Sequence, residues 1–127
     1  MRIAMAALLC TTAFGAPATE RVVRWTTAEA SKRIYRGRCP VRLIFTGTMT
    51  AARPGAFTYA WKRSDGAVGP MRTVFARRRG ETWRVREAWK ISDSAQGWAQ
   101  LWIASERHGS PAARFLVQCN SAPNARN

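Results

Sequence analysis

The sequence predicts an all-β protein: an antiparallel β-sandwich of about seven strands with one disulfide. Three observations carry that expectation. Short runs alternate apolar and polar residues at a period of two, the pattern of strands with one buried face. Glycine, proline, serine and aspartate punctuate the runs at short intervals, and no long helical pattern lies between them. Two cysteines, Cys39 and Cys119, remain once an N-terminal leader is set aside. No repeat at solenoid or propeller spacing is present.

The leader is residues 1–18, MRIAMAALLCTTAFGAPA, with one arginine, an apolar run from Ile3 to Leu9 and two small-residue exits at Ala13 to Gly15 and Ala16 to Ala18. This is the pattern of a secretory signal peptide, cleaved after Ala18 or alternatively after Gly15. The run is shorter than the ~20 apolar residues of a membrane-spanning helix, and no later segment approaches that length. Cys10 leaves with the leader, because Leu9 stands where a lipoprotein site needs a small residue. An exported protein, periplasmic or extracellular, is expected.

Glu20 to Thr26 is the expected first strand, with Val23 and Trp25 on one parity and Val22 on the other. Thr27 to Arg38 includes a short helical possibility, TAEASKR, and is expected as an irregular connection. Residues 19–38 thus form the first strand and its connection, and residues 39–119 the sandwich core. Val41 to Thr50 is the second strand, with Val41, Leu43, Phe45 and Met49 on one parity. Ala56 to Ser64 is the third, with Phe57, Tyr59 and Trp61 on one parity. Pro54 and Gly55 favour a turn between them, so the two are expected as an antiparallel pair. Met71 to Arg77 is a short edge strand. Thr82 to Ile91 places Trp83, Val85, Trp89 and Ile91 on one side and Arg84, Arg86, Ala88 and Lys90 on the other. Ser92 to Gln96 is a loop, Gly97 to Ala104 the sixth strand, and Arg107 to Pro111 a turn. Ala112 to Cys119 is the last strand, with Phe115, Val117 and Cys119 inward and Arg114, Leu116 and Gln118 outward. Residues 120–127 are expected as a flexible tail.

Two cysteines in an exported chain predict one disulfide. If seven strands alternate in direction, the second begins and the seventh ends at the same end of the sandwich, which brings Cys39 to Cys119. A zinc site is not expected, since two distant cysteines and the single His108 supply no four-ligand set. No cofactor or metal is expected.

Tyr35-Arg36-Gly37-Arg38-Cys39-Pro40, Phe45-Thr46-Gly47-Thr48, Tyr59-Ala60-Trp61-Lys62-Arg63-Ser64-Asp65-Gly66, Gly97-Trp98-Ala99-Gln100-Leu101 and the final Cys119 appear in that order. In combination they resemble small immunoglobulin-like domains of exported bacterial proteins, across residues 35–119. The resemblance implies an immunoglobulin-like sandwich and a non-catalytic module, with no catalytic residues to transfer. The chain departs from the pattern at Ile44, Arg84, Arg86 and Trp102, where outward threonines are expected. Unlike antibody domains, its bridge would join the second strand to the last.

The balance of 21 Lys+Arg against 7 Asp+Glu gives a net charge of +14. Only Lys32, Lys62 and Lys90 are lysines, so the charge is carried mainly by guanidinium forks suited to carboxylate and phosphate. Two candidate surfaces follow. Trp102 points outward if Leu101 and Ile103 point inward, and it shares an outer face with Gln100, Lys62, Leu116 and Gln118. That patch suits a sugar, a peptide or a second subunit; the alternatives are a cover from the chain's own first segment, or a bulge that reverses the parity. Arg42, Arg84, Arg86 and Lys90 project from the opposite sheet, with Arg77, Arg78 and Arg79 in the adjacent turn. That surface suits an anionic polysaccharide, phosphate-rich lipopolysaccharide or nucleic acid bound without sequence specificity; the alternative is an ordinary solvated face, partly neutralised by Glu81 and Glu87. An envelope protein is the other partner expected of the chain. Trp61 and Trp89 are expected in the core, and Trp98 at a packed corner.

No helix is available for a nucleic-acid groove and no binding motif is present, so sequence-specific nucleic-acid recognition is not expected. His108, Asp65 and Asp93 lie in turns without a catalytic motif, and paired carboxylates are lacking, so an enzyme is not expected. The function expected is an exported binding or adhesion module with a basic surface, or alternatively a secreted cationic effector or inhibitor of an acidic macromolecule.

Overall fold

Strand β3 (Val41–Ala51) buries Leu43, Phe45 and Met49 on one side, and strand β4 (Gly55–Arg63) buries Phe57, Tyr59 and Trp61. The computed structural model describes residues 21–120. The leader with Cys10, its cleavage site and residues 121–127 of the tail lie outside the described residues. Around β3 and β4 stand β1 (Val23–Ala30), β2 (Ile34–Gly37), β5 (Arg72–Ala76), β6 (Thr82–Ile91), β7 (Ala95–Ile103), β8 (His108–Gly109) and β9 (Ala113–Cys119). One sheet has the order β1-β3-β6; the other has β2-β9-β7-β4-β5, with β8 paired to β7.

The fold is an immunoglobulin-like β-sandwich of nine strands rather than seven. The added strands are β2 and β8, and β1 is longer than expected; β2 and the extension of β1 lie in the segment expected as irregular. β1 continues to Ala30 because Ala28 and Ala30 are small enough to pack beside Gly47 and Phe45, their register partners. β2 is held by parallel pairing with β9, Ile34 beside Leu116 and Gly37 beside Cys119. Such pairing leaves no local sequence signature. The third difference is β8, two residues paired with Trp102 and Ile103.

β3 and β4 do not form the expected antiparallel pair. They belong to opposite sheets, and the 52–54 connection arches between them, fixed by Ala52 N–H donating to Val22 C=O at 2.6 Å. Alternation marks one buried face per strand but does not distinguish a hairpin from an arch. The arch sets Phe45 against Trp61 across the core, with ring centroids 6.5 Å apart. Phe115 meets Phe45 at 5.8 Å and Trp89 at 5.0 Å, both edge to face.

The parity of β1 is also changed. Val23 stands opposite Ala51 but Trp25 opposite Thr50, so Arg24 is a bulge. Val22 and Val23 are both buried and Trp25 is 61% exposed on the outer face. The disulfide forms as expected, with Cα atoms 5.4 Å apart. Cys39 lies in the bend between β2 and β3, so the bridge ties the crossover between sheets to the end of β9.

Candidate functional site

The outer face of the three-stranded sheet is built in rows by strand register. From one end these are Trp25, Thr50 and Thr82; Thr27, Thr48 and Arg84; Glu29, Thr46 and Arg86; Ile44 and Ala88; then Arg42 and Lys90. Arg42, Arg84, Arg86 and Lys90 are all exposed, as the alternation of β3 and β6 requires. The hydroxyls of Thr27 and Thr48 are hydrogen-bonded, and those of Thr50 and Thr82 lie 3.3 Å apart, so threonines brace the spaces between arginines.

The turn carrying Arg77, Arg78 and Arg79 lies at the Thr82 end of this sheet. Their turn is pinned to β3 by Gly80 N–H donating to Ala51 C=O at 2.8 Å, and Gly80 takes a φ of +86° that favours glycine. The eight steps from Thr82 to Lys90 span about 27 Å at ~3.4 Å per residue. The basic residues therefore form a strip along the sandwich rather than a single cluster.

Of the two expected neutralising acids, Glu81 stays at the arginine turn and Glu87 turns away from the face. Glu81 turns to the backbone and accepts Arg77 N–H at 3.1 Å. Glu87 shares the inward side of β6 with Val85 and Trp89, opposite Phe45. Glu29 is the one carboxylate that β1, β3 and β6 place on the outer face. Among the described residues the ion pairs are Arg63 with Asp65 and Glu106 with His108, and neither involves this face.

On the other sheet, Trp102 points outward with Ala60 and Lys62, but it is half-buried. The Lys62 ammonium lies 3.5 Å from its ring centroid, and Gln100 beside Lys62 donates through Nε2 to Ser110 C=O at 2.8 Å. Among the described residues, Lys62 of the adjacent strand lies over the ring and Gly109 of β8 lies beside it, with the β4–β7 register unbroken at this point. Leu116 pairs with Gln96, six residues from Trp102 along β7 and hence about 20 Å away. Gln118 is farther still, bonded to Arg36 Nε at 2.8 Å. Trp102, Gln100 and Lys62 are thus brought together, and Leu116 and Gln118 are not.

Leu116 instead lines a shallow groove of about 570 Å³ with Ile34, Trp98, Arg33 and Arg114. Sequence reasoning missed this groove because one wall belongs to β2. It also missed the role of Glu106, which accepts the N–H groups of Val22 and Val23 while its Oε1 lies 3.0 Å from His108 Nε2. That carboxylate anchors the start of β1. Among the described residues no group of three or more His, Cys, Asp or Glu side chains is arranged to hold a metal ion.

No protein-family model and no curated protein matches the chain. Solved structures do. The CARDB domain of a Pyrococcus furiosus protein, solved in complex with di-metal ions, has a TM-score of 0.58 at 10% identity and covers 80% of this chain and 100% of that chain. A β-glucosidase from Listeria innocua has a TM-score of 0.55 at 10% identity, covering 77% of this chain but only 16% of the glucosidase. An alkylpurine DNA glycosylase from Pseudomonas fluorescens, bound to DNA containing an abasic site analogue, has a TM-score of 0.50 at 10% identity, covering 74% of this chain and 30% of that chain. At this identity the likenesses concern the fold alone. The described residues form a small immunoglobulin-like β-sandwich, an architecture that stands as a whole domain in the first of these proteins and as a minor part of the other two.

Proposed function

We propose that the protein is an exported, non-catalytic binding module whose three-stranded sheet engages a linear polyanion, an acidic polysaccharide or phosphate-rich lipopolysaccharide. One observation carries this reading: Arg42 stands directly across from Lys90. Like charges in opposed strand positions are destabilising, and neither side chain makes an ion pair with a described residue. A shallow concavity of about 480 Å³ lies between them, lined also by Pro40, Val41 and Ala88. An anionic group seated there relieves the repulsion.

The length of the strip supports a polymer over a single small anion. Arg84 and Arg86 supply planar forks between the Arg42 end and the Arg77 to Arg79 turn. The disulfide supports an oxidising compartment, in keeping with the leader pattern. The non-catalytic reading is supported by the single histidine, which is taken up with the Glu106 anchor of β1.

Retention on an immobilised sulfated polysaccharide tests the proposal. Arg42→Ser with Lys90→Ser is expected to weaken binding about tenfold at low salt, with a flatter salt dependence, while Trp102→Ala binds as wild type. Unchanged binding in the double variant, or loss in Trp102→Ala, overturns it.

A further inference from the structure

β5 is the terminal strand of its sheet, and the residues around it carry a concentration of exposed apolar surface. Phe75 is 66% exposed, Met71 62% and Val68 54%. The backbone explains what is free. Thr58 on β4 directs its N–H to Ser105 Oγ at 3.0 Å and accepts Ser105 N–H through its carbonyl, both away from β5. In an antiparallel ladder the neighbouring residues then point the opposite way, so Phe57 and Tyr59 bond β5 through Val74 and Arg72, their register partners. Thr73 and Phe75 consequently turn their N–H and C=O groups outward, a row of donors and acceptors on the sheet edge that no described strand pairs.

The charge around this edge is predominantly positive, with the Glu81 carboxylate held on Arg77 N–H at 3.1 Å at one end. Residues 66–80 contain Arg72, Arg77, Arg78 and Arg79 and no acidic residue. Arg72 and Arg77 bracket the two free positions. Pairing with a second copy in antiparallel register would bring the Arg72 end of each strand to the Arg77 end of the other, and each chain carries a net charge of +14. Like charges in opposed positions disfavour that pairing. An acidic strand meets Arg72 and Arg77 with opposite charge instead.

We propose that the edge of β5 is a strand-addition site for an extended acidic segment of a partner protein. The segment runs antiparallel to β5 and exchanges backbone hydrogen bonds with Thr73 and Phe75. An apolar residue opposite Phe75 packs on its ring. A carboxylate two residues before that position lies opposite Arg77, and one three residues after it lies opposite Arg72. The pattern is acid, any, apolar, any, any, acid. This site lies on the opposite sheet from Arg42, Arg84, Arg86 and Lys90 and shares with the polyanion strip only Arg77 at the turn.

The peptide Glu-Thr-Val-Thr-Thr-Glu, blocked at both ends, is the probe, with binding to the full chain followed by amide chemical shifts and hydrogen exchange. Slowed exchange at Thr73 and Phe75 on titration is expected, together with at least about tenfold weaker binding when lysine replaces both glutamates. Phe75→Pro removes an outward N–H without breaking a bond to β4, so it is expected to abolish peptide binding with an unchanged thermal midpoint. Should that variant lose stability, N-methylation of the peptide valine makes the same test from the other side. Arg84→Glu with Arg86→Glu is expected to leave the peptide affinity within about twofold of wild type, allowing for the long-range field. Equal binding of a scrambled peptide, or shifts confined to β3 and β6, overturns the proposal. So does a dimer in wild-type protein that Phe75→Pro dissociates, because the edge would then pair with its own copy.

Discussion

The Lys62 ammonium lies 3.5 Å from the centroid of the Trp102 ring, across the β4–β7 pair from Gln100. A tryptophan that alternation places on a solvent face is thereby closed by its neighbour. The contact is a cation–π pair whose charged partner keeps access to water, worth about 0.5–1 kcal/mol. Lys62→Ala is expected to lower stability by about that amount in urea unfolding and to raise acrylamide quenching of tryptophan fluorescence. The rise should vanish in a Trp102→Phe background; its persistence there would assign the exposure to another tryptophan.

Gly47 lies between two core side chains. A Cβ at this position would sit 2.7 Å from Leu101 Cδ2 and 3.0 Å from the Trp61 ring. Trp61 is 4% exposed and Leu101 fully buried, so neither has room to withdraw. Gly47→Ala is expected to cost about 1–3 kcal/mol by overpacking, seen as a lower urea midpoint at unchanged m. An unchanged midpoint would mean that this part of the core is looser than described.

Asp65 closes the turn after β4. The Arg63 guanidinium, followed by the Ala67 N–H at 2.9 Å, holds its carboxyl below the ordinary value of 3.8. The contribution of a depressed carboxylate is present above the unfolded value and is lost as pH falls through the folded one, here below 3.8. Side-chain exposures of 26% for Arg63 and 42% for Asp65 keep it small. In a carboxyl NMR titration, Arg63→Gln is expected to move Asp65 back toward its ordinary value. The same titration midpoint in both proteins would remove Arg63 as the cause.

The layered fold was legible because β3, β4, β6, β7 and β9 each bury one face, and Leu43, Phe57, Leu101 and Val117 mark those faces by alternation. Parity also placed Arg42, Arg84, Arg86 and Lys90 on one surface. Long-range pairing was not legible. β2 contains Ile34, 61% exposed, and depends on a parallel partner about 80 residues away. The Arg24 bulge moved Trp25 to the outside, since one extra residue inverts every side chain before it. Glu87 was assigned to the basic face despite sharing parity with Val85 and Trp89, which turn it inward. The separation of Leu116 from Trp102 follows from the β7–β9 register, a relation between strands that no single strand contains.

The polyanion reading is tested most directly by mapping where such a ligand lands. Amide chemical shifts would be followed as a sulfated or uronate oligosaccharide is titrated into the full chain at low salt. The expected result is a continuous band of perturbation through Arg42, Thr46, Thr48, Arg84, Arg86 and Lys90 that fades as salt is raised. Perturbation centred on Trp98 and Arg114, or on Trp102, with the Arg42 and Lys90 amides unmoved, would contradict it.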